Sequence, residues 1–337
     1  MKTSSFILLL GCVIAMGAGC KQDKGTGSEN NPAGALDPSL SQLNLLIEET
    51  PDKPELYFQR AGVYYELEGY DEAIQDLQKA LTYDSVNINY LHLLADVYLD
   101  YYQSFKALKT MEQAAALYPT RIPTLLKLSE FQLILKQPEQ ALLTLEKIRA
   151  VDPQNAEMFY MGGLILEDMG KIDEAIGGFQ SAVEIDPELI EAWIELGKLW
   201  ALKKEPGAIR FFDNALRVDS TNVTALHEKA YYLSNTLEDL EGALALYKKI
   251  ILAQPQYPDA YYNAGLLYMD MDSIDRAMQE FNLNIQVDPT FYQAYYYRGL
   301  CQEMKGNPED ARRDYEQALN LAPDYQKARD ALDKLKS

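Results

Sequence analysis

The sequence repeats itself with a period of about 34 residues from Pro54 onward. Alanine marks each repeat, at Ala73, Ala107, Ala141, Ala175, Ala208, Ala243, Ala277 and Ala311. A small residue stands eleven to thirteen residues before each of them, at Ala61, Ala95, Ser129, Gly163, Gly197, Ala230, Gly265 and Gly299. A period of this length is typical of arrays whose units bury their apolar faces only against their neighbours. The chain is therefore predicted to form an extended array of about eight units.

Each unit is predicted to be a pair of amphipathic helices, because its apolar residues recur three and four positions apart. The fourth unit shows the pattern, with Phe159 and Gly163 on one helix face and Ala175 and Phe179 on the next. Small residues let two helix backbones approach closely, and a large side chain fills the space beside them. Proline ends six of the eight units, where it stops the second helix.

The period and the residues at these places resemble the tetratricopeptide repeat family. This resemblance implies an all-α fold, a right-handed α-solenoid superhelix of eight helix-turn-helix units over residues 54–325. Residues 39–53 are predicted to hold an N-terminal capping helix with Leu43 and Leu46 facing inward. Residues 326–337 are predicted to form a C-terminal capping helix, because the last unit would otherwise expose its core face.

The first 19 residues have the layout of a secretory signal. Lys2 is followed by an apolar stretch from Phe6 to Met16 and then by small residues before Cys20. The segment resembles the signal peptide of bacterial lipoproteins, which implies that Cys20 carries a lipid anchor with acyl chains such as palmitate. The alternative is a secreted protein with an incidental cysteine at that position. Residues 20–38 are rich in Gly, Asn and charge and are predicted to be a flexible tether.

The resemblance also implies a location and a binding surface. Lys21 after the cysteine favours the outer membrane of the cell envelope, with the leaflet left open. In the family, the first helices line a concave groove, and partners contact mainly the second, fifth, ninth, twelfth and thirteenth places of each unit, counted from Pro54 in the first. The predicted groove residues are Phe58, His92, Asp96, Glu130, Tyr160, Glu167, His227, Tyr231, Tyr262, Asp270, Tyr296 and Glu303.

Tyrosines could equally belong to the core, and for Tyr261 and Tyr295 the core is the better interpretation. For Tyr160, Tyr262 and Tyr296 the groove is favoured. The carboxylates could simply keep the surface soluble. An aromatic and acidic groove suits a protein or peptide segment with apolar anchors and positive charge.

The formal net charge of −20 limits the classes of partner. An acidic surface repels phosphate backbones, so no nucleic-acid partner is expected. It also repels anionic lipids, so membrane attachment would depend on the lipid anchor. Self-association through aromatic surfaces stays possible.

Catalytic and metal-binding patterns are absent from the sequence. The two histidines, His92 and His227, are about four units apart, and Cys301 lies within a first helix. No recognised nucleophile, phosphate-loop or zinc motif occurs. We therefore expect no enzyme activity, no metal and no cofactor.

The sequence favours a membrane-anchored scaffold or adaptor of the bacterial envelope. The alternative is a ligand-capturing lipoprotein of nutrient uptake that binds glycans or small solutes. Proteins of that kind carry long insertions between repeats, and the sequence has none.

Overall fold

The computed structural model describes residues 38–205 and 207–336, which form helices joined by short turns, without a strand. The predicted signal peptide, Cys20 and most of the predicted tether lie outside the described residues. Within these ranges, every helix is too short or too polar to cross a bilayer. The helices are α1 (Pro38–Glu49), α2 (Pro54–Glu66), α3 (Tyr70–Tyr83), α4 (Ile88–Asp100), α5 (Ser104–Leu117), α6 (Ile122–Ile134), α7 (Pro138–Val151), α8 (Ala156–Asp168), α9 (Ile172–Ile185), α10 (Ile190–Leu202), α11 (Ala208–Val218), α12 (Val223–Asn235), α13 (Leu240–Ala253), α14 (Pro258–Asp270), α15 (Ile274–Val287), α16 (Tyr292–Met304), α17 (Pro308–Leu321) and α18 (Gln326–Lys336).

Helices α2 to α17 pair into eight hairpins, α2 with α3 through α16 with α17, and each hairpin packs on the next. The predicted all-α solenoid of repeated helix pairs is confirmed. In each hairpin the even-numbered helix is the first helix and the odd-numbered one is the second helix. Helix α1 packs on α2 at one end, and α18 packs on α17 at the other.

A tight contact between the two helices sets the geometry of several hairpins. A Cβ atom added to Gly163 would lie 2.5 Å from the ring of Phe179, and one added to Gly265 would lie 2.6 Å from the ring of Phe281. These glycines therefore allow an aromatic ring to pack directly on the backbone of the first helix.

The turn inside each hairpin contains one residue in the left-handed region, with φ between 53° and 79°. Only two of the eight are glycine, although glycine adopts this conformation at the lowest cost. The eight are Glu68, Tyr102, Lys136, Gly170, Lys204, Glu238, Asp272 and Gly306. Polar side chains order the turns between units. Asp186, for example, accepts a hydrogen bond from the backbone N–H of Glu188 at 2.9 Å.

The fifth and sixth units are irregular, and they are the two in which the spacing between the small residue and the alanine departs from twelve residues. Helix α11 has 11 residues, whereas the other second helices have 14. Before α13, the turn is stabilised by Asp239, which accepts a hydrogen bond from the N–H of Gly242 at 2.9 Å.

The two terminal helices differ in what they expose. In α18, Ala328 and Ala331 are buried. In α1, Leu43 is buried, but the prediction that Leu46 faces inward is wrong, because 37% of its surface is exposed. No described helix precedes α1 to cover that side chain.

Candidate functional site

The first helices form one continuous wall of the solenoid, which we call the groove. Neighbouring first helices contact each other directly at α2 and α4, at α6 and α8, and at α10 and α12. Side chains bridge them, since Lys127 Nζ lies 2.6 Å from Asp96 Oδ2 and His92 Nε2 lies 3.2 Å from Thr124 Oγ1. Residues far apart in sequence are therefore neighbours along this wall.

Five carboxylates from α4 to α12 make up the acidic segment of the groove: Asp96, Glu130, Glu167, Glu195 and Glu228. Burial raises the pKa of Glu130 and of Asp96, against the opposing effect of Lys127. Burial also raises the pKa of Glu167, and the nearby charge of Glu195 adds to the effect. Burial thus disfavours the charged form of Asp96, Glu130 and Glu167, and a cationic ligand would offset that cost in solvation.

Two lysines only partly neutralise the acidic segment. Lys127 pairs with Asp96, and Lys198 Nζ lies 2.7 Å from Glu195 Oε2. Burial by itself lowers the pKa of Lys198. The carboxylates of Glu195, Glu167 and Glu228 raise it by a larger amount, so the net shift of the pKa is upward. Carboxylates still outnumber ammonium groups five to two among these residues, which leaves an excess of negative charge.

The C-terminal part of the groove is lined by the tyrosine segment: Tyr262, Tyr292, Tyr296, Tyr297 and Tyr325. Ring centroids lie 5.7 Å apart for Tyr262 and Tyr297, 5.4 Å for Tyr296 and Tyr325, and 4.9 Å for Tyr292 and Tyr325. Burial raises the pKa of Tyr262, Tyr296 and Tyr325, so their phenols stay neutral. A cavity of about 210 Å³ adjoins this segment, lined by Tyr296, Leu300, Glu303, Lys327, Asp330, Ala331 and Lys334.

Several predicted groove residues come together in these two segments. Asp96, Glu130 and Glu167 lie in the acidic segment, and burial together with Glu195 raises the pKa of the neighbouring Tyr160. Tyr262 and Tyr296 lie in the tyrosine segment. His227 lies on α12 between them, with its ring 5.6 Å from that of Tyr247.

The remaining predicted residues lie beside the two segments or nearer the ends of the array. Phe58 is near the N-terminal end, with its ring 5.1 Å from that of Tyr90. His92 is half-buried, and burial together with Lys127 and Arg121 lowers its pKa to about 4. Asp270 and Glu303 are exposed near the ends of their helices, where Glu303 accepts a hydrogen bond from Tyr315 at 2.8 Å.

The tyrosines of the groove are not all free for a ligand. The ring of Tyr262 lies 6.3 Å from that of the buried Phe281, and the ring of Tyr296 lies 5.8 Å from that of the buried Tyr315. Both rings therefore support the fold as well as line the groove. Tyr231, which is 57% exposed, presents its ring to solvent.

The interpretation from sequence omitted the sixth place of each unit. This place supplies Lys127, Glu195, Glu228 and Tyr297. It lies four residues after the second place and three before the ninth, so it shares their face of the helix. This spacing in the sequence is sufficient to predict that the sixth place faces the groove.

Metal-binding clusters are not found among the described residues. They hold no group of three or more potential metal ligands. Cys301 is fully buried, and burial raises its pKa to about 11, so its thiol is unsuited to nucleophilic attack.

Comparison with known families identifies the repeat. A family model described as Tetratricopeptide repeat matches residues 54–87, 156–189 and 258–291, and a second model of the same description matches residues 292–325. These four stretches of the chain are therefore similar to the tetratricopeptide repeat.

Similar proteins have diverse roles. A DnaJ homolog subfamily C member 7 homolog from Dictyostelium discoideum is 25% identical over 80% of this chain and 49% of its own length. A peroxisomal targeting signal receptor from Eremothecium gossypii is 23% identical over 52% of this chain and 37% of its own length. The chain thus spans about half or less of these relatives.

A solved tetratricopeptide repeat protein from Parabacteroides merdae shares the fold. It superposes with a TM-score of 0.51 at 18% identity, over 74% of this chain and 99% of the other.

Proposed function

Because four stretches of the chain are similar to the tetratricopeptide repeat and its units form a continuous solenoid, we propose that it is an adaptor that holds a segment of another protein in its groove. The groove is lined by the first helices along the whole array, which suits an extended or helical segment. A relative named as a targeting signal receptor supports this kind of role.

The partner segment is basic and apolar. The observation that carries this proposal is the acidic segment, where half-buried carboxylates outnumber lysines five to two and burial raises the pKa of Asp96, Glu130 and Glu167. Arginine or lysine of a partner would restore the lost solvation through charge-assisted hydrogen bonds. The adjoining tyrosine segment would receive apolar or aromatic anchors.

The proposed setting is the bacterial cell envelope, with a lipid anchor at Cys20. The support is the leader pattern in the sequence, and Lys21 favours the outer membrane. In this setting the solenoid acts as a tethered scaffold without catalytic activity.

The groove is tested by replacing Glu130 and Glu167 with glutamine in the full-length protein. Partners are isolated with it from detergent-solubilised membranes and quantified by mass spectrometry. We expect a stoichiometric partner to be retained by the wild type and reduced at least tenfold by Glu130→Gln/Glu167→Gln, because two charge-assisted contacts are lost.

A matched control carries Glu146→Gln and Glu184→Gln, two exposed carboxylates on second helices. It changes the net charge equally and should retain the partner. Glu130→Gln/Glu167→Gln should stay folded at pH 7. Burial disfavours the ionised form of both carboxylates in the folded state, so replacing them removes an unfavourable contribution to the folding free energy. Equal retention by both variants, or no enriched partner with the wild type, would contradict the proposal.

A further inference from the structure

The second helix of every complete unit buries one side chain fully at the same place. These residues are Ala80, Ala114, Ile148, Ala182, Ala215, Ile250, Asn284 and Ala318, each with 0% exposure. The place faces the first helix of the same unit, as shown by Asn284 Nδ2, which donates to the carbonyl of Pro258 at 2.7 Å. Leu46 of α1 occupies the same place and is 37% exposed.

A repeated hydrogen-bond pattern establishes this equivalence. Arg298 donates to Asn282 of the preceding second helix at 2.8 Å and to Asp314 of its own unit. Arg60, in the first unit, donates to Asn44 of α1 at 2.7 Å and to its own Asp76. Asn44 therefore corresponds to Asn282, and α1 is the second helix of a unit that lacks its first helix.

The chain segment at the expected place does not have the sequence of a first helix. The repeat period places it one full unit before α2 (Pro54–Glu66), at residues 20–32. That stretch contains no Ala, Val, Leu, Ile, Met, Phe, Tyr or Trp, and it includes Gly25, Gly27 and Pro32. Such a sequence has neither the apolar stripe nor the helix propensity of a first helix.

A second copy of the chain does not supply the missing helix. Helix α18 stands at the place of a first helix, since Gln326 follows Tyr292 by one repeat period. Where the other first helices have a small residue, α18 has Asp333, which follows Gly299 by the same period. Stacking α18 of one copy on α1 of another would press a carboxylate against Leu43. The first helices of the eight units are already packed within their own hairpins.

We propose that Leu46, beside the largely buried Leu43, forms a docking seam for an amphipathic helix of another protein. The incoming helix would complete a ninth hairpin at the N-terminal end, continuous with the eight internal ones. Its chemistry follows from the first unit, where Ala61 stands in the first helix and Leu77 in the second, because α1 has Leu43 at the place of Leu77. The partner helix thus needs about 13 residues, with alanine at the central contact and apolar residues three and four positions away. This seam is separate from the groove.

The test uses a fluorescent peptide with the sequence of residues 54–66, stapled between positions 55 and 59 to keep it helical. Both positions are exposed in α2, so the staple leaves the packing face intact. Binding to the full-length protein is followed by fluorescence anisotropy. We expect saturable binding to the wild type and at least tenfold weaker binding to Leu46→Glu, because the docked helix would bury the new carboxylate.

The matched control is Leu45→Glu, since Leu45 is 62% exposed and adjoins the seam residue. It should bind the peptide within a factor of about two of the wild type, because a contact-free surface change has little effect. Leu46→Ser provides a milder second variant, and circular dichroism checks that each protein is folded. An Ala61→Leu peptide should bind poorly because its central contact is too large.

Absence of saturable binding to the wild type would overturn the proposal, as would equal binding to the Leu46 and Leu45 variants. Light scattering provides a further outcome. A dimer of the wild type that Leu46→Glu abolishes would assign the seam to a second copy and would also overturn the proposal.

Discussion

At the scale of the residue, the distance between the two helices of a hairpin depends on the sizes of the two residues that face each other. Gly265 stands opposite Phe281, whereas Ala61 and Ala95 occupy the same place in units where the opposing residue is Leu77 or Met111. In these three units a smaller residue on one side accompanies a larger one on the other. Close packing explains this relation, because the interior has little free volume.

Gly265→Ala should destabilise the fold. The added Cβ would lie 2.6 Å from the Phe281 ring, and that ring also stacks on Tyr297 at 5.9 Å. Overpacking of this kind costs about 1–3 kcal/mol. The urea-unfolding midpoint, followed by circular dichroism, should fall accordingly.

Gly62→Ala provides the control, because an added Cβ there meets nothing within 4 Å. It should raise the free energy of unfolding by about 0.5–1 kcal/mol, because alanine has a higher helix propensity than glycine. The urea midpoint should rise accordingly. Adding Phe281→Leu to Gly265→Ala should recover part of the loss, as in the first unit. If the double variant is no more stable than Gly265→Ala alone, the size-matching account is wrong.

At the scale of the element, the hairpin turns are built against local preference. Six of the eight turns place a residue with a side chain in the left-handed region, among them Tyr102 with φ 58°. A Cβ atom makes this conformation unfavourable by about 1–2 kcal/mol. The packing of the two helices on either side is what holds the backbone there.

Tyr102→Gly should therefore stabilise the protein. The Tyr102 side chain is 93% exposed, so little packing is lost. The expected gain is up to about 1 kcal/mol, because glycine removes the left-handed strain but adds entropy to the unfolded chain. Thermal unfolding followed by circular dichroism measures it.

The reverse change, Gly170→Ala at φ 74°, should destabilise by a similar amount. The site is open, with no atom within 4 Å of an added Cβ, so any effect comes from the backbone. The two variants must change the free energy of unfolding in opposite directions. A lower melting temperature for Tyr102→Gly would show that the exposed ring stabilises the turn.

At the scale of the whole molecule, the array has different surfaces along its wall and at its ends. The groove changes from the acidic segment to the tyrosine segment toward the C-terminus. The C-terminal end is closed by α18, and the N-terminal end presents Leu46. One solenoid thus carries the two separate surfaces that we propose bind other proteins.

The proposed anchor predicts where the whole protein resides. Cys20→Ser should move it from the membrane fraction to the soluble fraction after cell lysis, because the acyl chains provide the membrane affinity. Lys21→Ala serves as the control and should leave it in the membrane fraction. Continued sedimentation of the Cys20 variant with membranes would contradict lipidation at this residue.

The sequence by itself determined the repeated helical architecture. The period, the small residues such as Gly163 and the alanines such as Ala175 recur in every unit, and each is required by the same helix contact. The inference is strong because the same residue pattern recurs in all eight units. The irregular fifth unit also shows in the sequence, since Gly197 and Ala208 are eleven residues apart whereas the regular units have a spacing of twelve.

Only the tertiary structure decided which surface residues act together. Glu130, Glu167 and Glu195 come from three units, and their shared electrostatic environment depends on how the first helices stack. Tyr262 and Tyr296 have groove places in the sequence, yet their rings also pack on the buried Phe281 and Tyr315. The exposure of Leu46 likewise depends on what lies next to α1. A local pattern specifies the helix and its face, but burial and charge coupling depend on neighbours that only folding brings near.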